Sequence, residues 1–153
     1  LANHNEKTIK LHTAHHLLLA GLQNIVDKNI KQRGSNITEE RLRIDFLCDH
    51  KLTDEEKKKV EDWVNEKIEM RLEVIRREMS LIEAKKLGAE MEFGAKYPEV
   101  VSLYFIEDKN GNPISKEFCG GPHVKNTGEL GQFKIQKEEA VSAGIRRVKA
   151  VLW

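Results

Sequence analysis

Apolar residues at Ile9, Leu17, Leu18, Leu22 and Ile25 recur through a stretch with few breakers, and this spacing predicts an amphipathic helix over about residues 7–24. Gly34, in KQRGSN, reads as a loop signal. In RLRIDFL, which follows it, Leu42, Ile44 and Phe46 alternate with Arg41, Arg43 and Asp45, the period of a half-buried strand. Thr53 followed by Glu56 is a capping-box pattern, and Val60, Val64 and Ile68 continue at helical spacing to about Met70. Ser80 with Glu83 opens a short helix, LIEAKKLG, that Gly88 can close in the left-handed conformation. VVSLYFI, the KNGNP turn and SKEFC read as a hairpin, and FKIQ and RRVKAVL as two further strands. There is no repeat and no Pro/Gly-rich linker, so the expectation is one α+β domain over residues 1–153, in two layers, with helices packed on a largely antiparallel sheet.

Composition narrows the class. With 39% hydrophobic and 33% charged residues in 153, the chain can bury one sizeable core and is not a disordered segment. The longest apolar run, around Leu17–Leu22, is too short to span a membrane, and LANHNEKTIK has no signal-peptide core, so a cytoplasmic protein is expected. The start at Leu1 suggests processing or a piece of a larger protein. Cys48 and Cys119 make no disulfide framework, so any special role falls to them as thiols. The net charge of +1 does not advertise nucleic-acid binding, although residues 115–153 carry seven Lys/Arg against four Asp/Glu, a local excess that could face phosphates or simply water.

Chemistry concentrates in two places. His12 and His16 are four apart on the first helix, stacking two imidazoles on one face so that both can meet one ion; His15 would also share a face with His12, but His16 has the better spacing. The second place is Cys119-Gly120-Gly121-Pro122-His123, where paired glycines and a proline exclude a helix and favour a tight loop. Together these residues form a His₃Cys set of the kind zinc accepts, its two halves roughly 100 residues apart, which requires a tertiary site between the first helix and the Gly-rich loop. Four protein ligands suit a structural zinc; release of one would open a position for water or substrate. A zincin protease is disfavoured, because Thr13 stands where H-E-x-x-H needs its glutamate.

HTAHHLL, RLRIDF, CGGPHVKNTGELGQFKI and SAGIRRVKAV closely resemble the alanyl-tRNA synthetase editing domain and its free-standing trans-editing relatives. The likeness runs through TDEEKKKVEDWVNEKI, MSLIEAKKLGA and FGAKY in the same order. It implies that His12, His16, Cys119 and His123 are the zinc ligands, and that Gln32, in the KQRGS stretch, contacts the aminoacyl group. Two departures stand out: His15 where the family commonly has threonine, and Pro122 where it usually has threonine, the latter a form shared with the threonyl-type editing domain.

The implied activity is hydrolysis of the ester joining serine or glycine to alanine tRNA, a deacylase function needed because a synthetic pocket for a small side chain cannot strongly reject a near-isostere. Zinc would polarise, activate water or position the substrate amine, with Gly120 and Gly121 amides as oxyanion donors. His15 should sit at the rim of the pocket, and Lys125, Arg146 and Arg147 should contact the tRNA. A possible further partner is the rest of a synthetase chain. The rival readings are a non-catalytic, zinc-stapled tRNA-binding module, a threonyl-type editing domain and a general metal-dependent esterase.

Overall fold

The computed structural model describes residues 5–91 and 94–153; the first residues of LANHNEKTIK and Phe93 of the FGAKY stretch lie outside them. Helix α1 (Glu6–Ile25) is opened by Asn5, whose side chain accepts from the Thr8 amide while the Thr8 hydroxyl receives the Asn5 N–H. Strands β1 (Gln32–Ile37) and β2 (Leu42–Leu47) follow, then helix α2 (Asp54–Glu69), strand β3 (Glu73–Ser80) and helix α3 (Leu81–Lys86). The chain continues through β4 (Val100–Glu107), β5 (Pro113–Phe118), a 3₁₀ turn (Thr127–Leu130), β6 (Phe133–Ser142) and β7 (Ile145–Leu152).

The α+β class and the antiparallel pairing are as expected, but the strands divide into two sheets, one ordered β1-β2-β7-β6 and the other β3-β4-β5. Two strands depart from the sequence reading. The KQRGSN stretch is not a loop: from Gln32 it pairs with β2, with Gly34 in register with Asp45 and Arg33 the extra residue of a bulge between Gln32 and Gly34. β3 was not foreseen. Both lie at sheet edges and are mostly exposed or half-buried, so neither carries the apolar alternation of a buried strand.

The division into two sheets explains α1. Residues 13–22 of this helix are buried without interruption, not along one stripe, because α1 lies against β1 and β2 of one sheet and β5 of the other. Its partner α2 behaves as expected, with the Thr53–Glu56 capping box formed and Val60, Val64 and Ile68 buried. The two helices meet closely at Gly21, where an added Cβ would stand 3.1 Å from the Trp63 ring. Leu17, Leu18, Leu22, Phe46, Val60, Val64, Ile106 and Val148 belong to the main core; Val101, Leu103, Phe105 and Phe118 form a smaller one with Ala84 of α3. Alternation along β4 turns Val101, Leu103 and Phe105 away from Ser102 and Tyr104, which contact the loop after β5.

Among the described residues no helix is long and apolar enough to cross a membrane. The ion pairs that fasten the larger sheet include Arg146 on Glu138 (2.8 and 2.9 Å) and Arg147 on Asp45 (2.8 and 3.0 Å), each through two nitrogens of the guanidinium.

Candidate metal centre

Helix α1 presents His12 and His16 one turn apart, and the loop leaving β5 brings Cys119 and His123 to them. One ligand atom from each of the four residues lies within 4.8 Å of the others, so the group can hold a metal ion. Cys119 Sγ stands 3.3 Å from both His12 Nε2 and His123 Nε2. A tetrahedral zinc with ordinary Zn–N and Zn–S bonds would set its sulfur and nitrogen ligands about 3.5 Å apart, so these separations suit such an ion. The three rings pack closely, His123 at 4.1 Å from His12 and 4.2 Å from His16 between centroids.

The far nitrogens of the rings are also engaged. His12 Nδ1 is 3.2 Å from the Pro122 carbonyl, and His123 Nδ1 is 2.9 Å from Thr13 Oγ1. Glu117 Oε2 lies 3.2 Å from His16 Nδ1, close but not aligned as a hydrogen bond, so a buried carboxylate rests against that edge of the ring. Burial, and then the charge of His123 and His12, holds His16 well below its ordinary pKa. Burial, followed by the charge of His12, takes His15 down to about 3. These imidazoles are therefore neutral at pH 7, the form in which a histidine can bind a metal. Burial, with the Glu90 charge adding to it, raises Glu117 to about 8.

The loop depends on one glycine for its shape. Gly121 has φ +72°, and a Cβ there would fall 2.8 Å from Cζ of Tyr104, whose ring in turn meets His123 edge to face at 4.3 Å. The Gly121–Pro122 peptide is cis. The Gly121 amide donates to Cys119 Sγ at 3.3 Å, so it serves the sulfur and is not free for an oxyanion; Gly120 is exposed. Beyond His123 the chain is tied to α2: the Leu72 amide donates to the Thr127 hydroxyl, which donates to the Lys67 carbonyl.

Three of the four residues, His12, His16 and Cys119, form part of the wall of a cavity of about 340 Å³. α1 contributes His12, His15 and His16; β1 contributes Gln32, Ser35, Asn36 and Ile37; the end of β5 and its loop contribute residues 117–121. Gln32 is thus at the cavity, but as the first residue of an edge strand and not in a loop. His15 lines the cavity yet is only 4% exposed, so it is a wall residue and not a rim residue, and its Nε2 has no hydrogen-bond partner among the described residues. Lys125 is exposed just beyond His123, while Arg146 and Arg147 are outside the cavity lining and held by carboxylates.

Three contributors were missed in the sequence: Thr13, Tyr104 and Glu117. Only Glu117 left a signal, since strand alternation counted back from Cys119 puts Glu117 and Ser115 on the same face. A second group, Cys48, Asp49 and His50, also brings possible ligand atoms within 4.8 Å, but His50 already bonds Asp49 at 2.6 Å and Glu56 at 3.0 Å.

Residues 101–149, which include β4, β5 and the Cys119–His123 loop, match the family described as the threonyl and alanyl tRNA synthetase second additional domain. Over 152 residues, 99% of the chain, it is 53% identical to an alanine–tRNA ligase of Borrelia hermsii and 50% identical to that of Treponema denticola. The alanine–tRNA ligase of Fusobacterium nucleatum is 46% identical over 94% of the chain. The chain spans 25%, 24% and 16% of the length of these three relatives. This kinship supports a domain of the alanyl-tRNA synthetase editing type.

Proposed function

We propose that this domain hydrolyses the ester linking a wrongly attached serine or glycine to alanine tRNA, with zinc held by His12, His16, Cys119 and His123. The observation that carries the reading is a His₃Cys group with His12, His16 and Cys119 in the wall of a cavity large enough for an amino-acid ester and bordered by polar side chains. The sequence kinship to alanine–tRNA ligases supports the choice of RNA and of protein biosynthesis in the cytoplasm as the setting. The rest of a synthetase chain is the natural partner for a domain that spans a quarter of such relatives.

Bound zinc would supply a Lewis acid and a fixed charge beside the ester. The chain's own residues do the remaining work. Gln32, on an edge strand across the cavity from α1, donates to or accepts from the aminoacyl group. Gly120 is the loop amide left to face a developing oxyanion, since the Gly121 amide serves Cys119. His15 brings a buried polar nitrogen to the side where the amino-acid side chain sits, which favours a hydroxyl-bearing serine over the methyl of alanine. Lys125 is the exposed cation nearest the loop in sequence and is assigned to the tRNA backbone, while Arg146 and Arg147 reach phosphates only at the expense of their ion pairs.

The test is single-turnover deacylation by the purified domain of seryl-, glycyl- and alanyl-tRNA carrying the alanine anticodon stem and acceptor, with and without a chelator. Loss of seryl and glycyl esters, sparing of alanyl ester and inhibition by the chelator are expected. Binding without hydrolysis would leave a zinc-stapled RNA module. Because the family description covers threonyl enzymes and Pro122 is present, seryl-threonine tRNA belongs in the same assay, and a preference for it would move the assignment to the threonyl type.

A further inference from the structure

The hydroxyl of Thr13 is completely buried between the two halves of the metal centre and has three neighbours. The Val124 amide lies 3.2 Å from Oγ1, His123 Nδ1 2.9 Å and the Ile9 carbonyl 3.4 Å. A hydroxyl has one proton to give and two lone pairs to offer. The Val124 amide can only donate and takes one lone pair; the Ile9 carbonyl can only accept. The remaining lone pair and the proton therefore decide how the imidazole is protonated. With the proton on the Ile9 carbonyl, Oγ1 accepts from Nδ1–H of His123, and the bare Nε2 faces Cys119 Sγ at 3.3 Å. With the proton turned toward Nδ1, the imidazole carries its hydrogen on Nε2 and closes that nitrogen to a metal.

From this geometry we infer that Thr13 is a positioning residue for the metal ligand His123: its hydroxyl takes up Nδ1–H when a metal is bound, which fixes the tautomer that leaves Nε2 free as the ligand. The inference rests on the metal reading of the His₃Cys group. It also gives the residue between the helix and the loop a reason to be a small hydroxyl. Oγ1 joins α1 (through Ile9) to the loop (through Val124) and to the ring itself, so one side chain sets the distance between the two halves of the site and the proton on one of its ligands. Valine has nearly the same shape and none of these three bonds, whereas serine keeps all three.

The experiment has two arms. Zinc-loaded protein with ¹⁵N-labelled imidazoles is examined by long-range ¹H–¹⁵N correlation, which distinguishes Nδ1–H from Nε2–H. His123 is expected to carry its proton on Nδ1; a proton on Nε2, or none on either nitrogen, overturns the inference. In the second arm, zinc affinity is measured by competition with a chromophoric chelator for the parent, Thr13→Val and Thr13→Ser. Loss of a residue that orients a metal ligand weakens binding by about 10- to 100-fold, and this is expected for Thr13→Val, with Thr13→Ser within about threefold of the parent. Equal weakening of both variants, or none in Thr13→Val, overturns it. Should Thr13→Val not fold, the NMR arm on the parent and the serine variant still decide. A parent that binds no zinc removes the metal reading itself and this inference with it, an outcome distinct from a parent that binds zinc and is indifferent to Thr13.

Discussion

Gly121→Ala should damage the metal centre by two separable routes. The first is backbone strain: at φ +72° an L side chain costs about 1–2 kcal/mol. The second is steric. The new Cβ would lie 2.8 Å from Tyr104 Cζ and 2.9 Å from Cε2, where carbon atoms normally keep about 3.5–4.0 Å, so the ring must withdraw by roughly 0.7–1 Å. Such overpacking costs a further 1–3 kcal/mol or so. Tyr104 is packed against His123 at 4.3 Å, so the ring cannot withdraw without disturbing a proposed ligand. Part of the strain is relieved when the loop lets go of the ion. At 1.4 kcal/mol per factor of ten, relief of about 2 kcal/mol weakens zinc roughly 30-fold. The assay is chelator competition for affinity and denaturant unfolding of the metal-free protein for stability, repeated in Gly121→Ala/Tyr104→Ala, where the clash is gone and only the backbone strain remains. If Gly121→Ala binds zinc within about threefold of the parent and unfolds at the same denaturant concentration, the description of this loop is wrong.

The pH dependence of the metal-free protein follows from His15. Its folded pKa of about 3 lies below the unfolded 6.5, so its contribution is complete above pH 6.5 and is lost as pH falls from there toward 3, when the unfolded chain takes a proton that the folded one refuses. The stability of the parent should therefore fall with acid more steeply than that of His15→Thr, by about 1.4 kcal/mol per pH unit, and equal slopes in urea titrations would remove His15 from the account. Arg146→Ala and Arg147→Ala should each cost about 1–3 kcal/mol in denaturant unfolding, because each leaves a half-buried or buried carboxylate without its charged hydrogen bonds; variants as stable as the parent but deficient in tRNA binding would return these arginines to the phosphate role. Gln32→Ala should slow single-turnover deacylation while leaving zinc content and unfolding unchanged, and an unaltered rate would exclude the side chain from substrate contact.

What was legible in the sequence was whatever a local period or a rare pair could write down. α2 announced itself through the Thr53–Glu56 box and one apolar stripe, and the β4–β5 hairpin through its turn, because both bury one face and expose the other. The H-x-x-x-H spacing and the CGGPH loop named all four members of the group that can hold a metal, since their residue types and spacings carry the chemistry even when the halves are about 100 residues apart. Edge strands were less visible. β3 and β1 bury little, so EVIRREMS and QRGSNI look like surface chain until a neighbour pairs with them. The all-round burial of α1 was not written in its own period, because it is the second sheet that covers the remaining face. Only the folded chain decided the surroundings of the centre. Tyr104 under Gly121, Glu117 against His16 and Thr13 beneath His123 are ordinary residues in sequence; they acquire their roles because two sheets and a helix bring them within a few ångströms of the ligands, and residue types shared with any surface or core carry no record of that proximity.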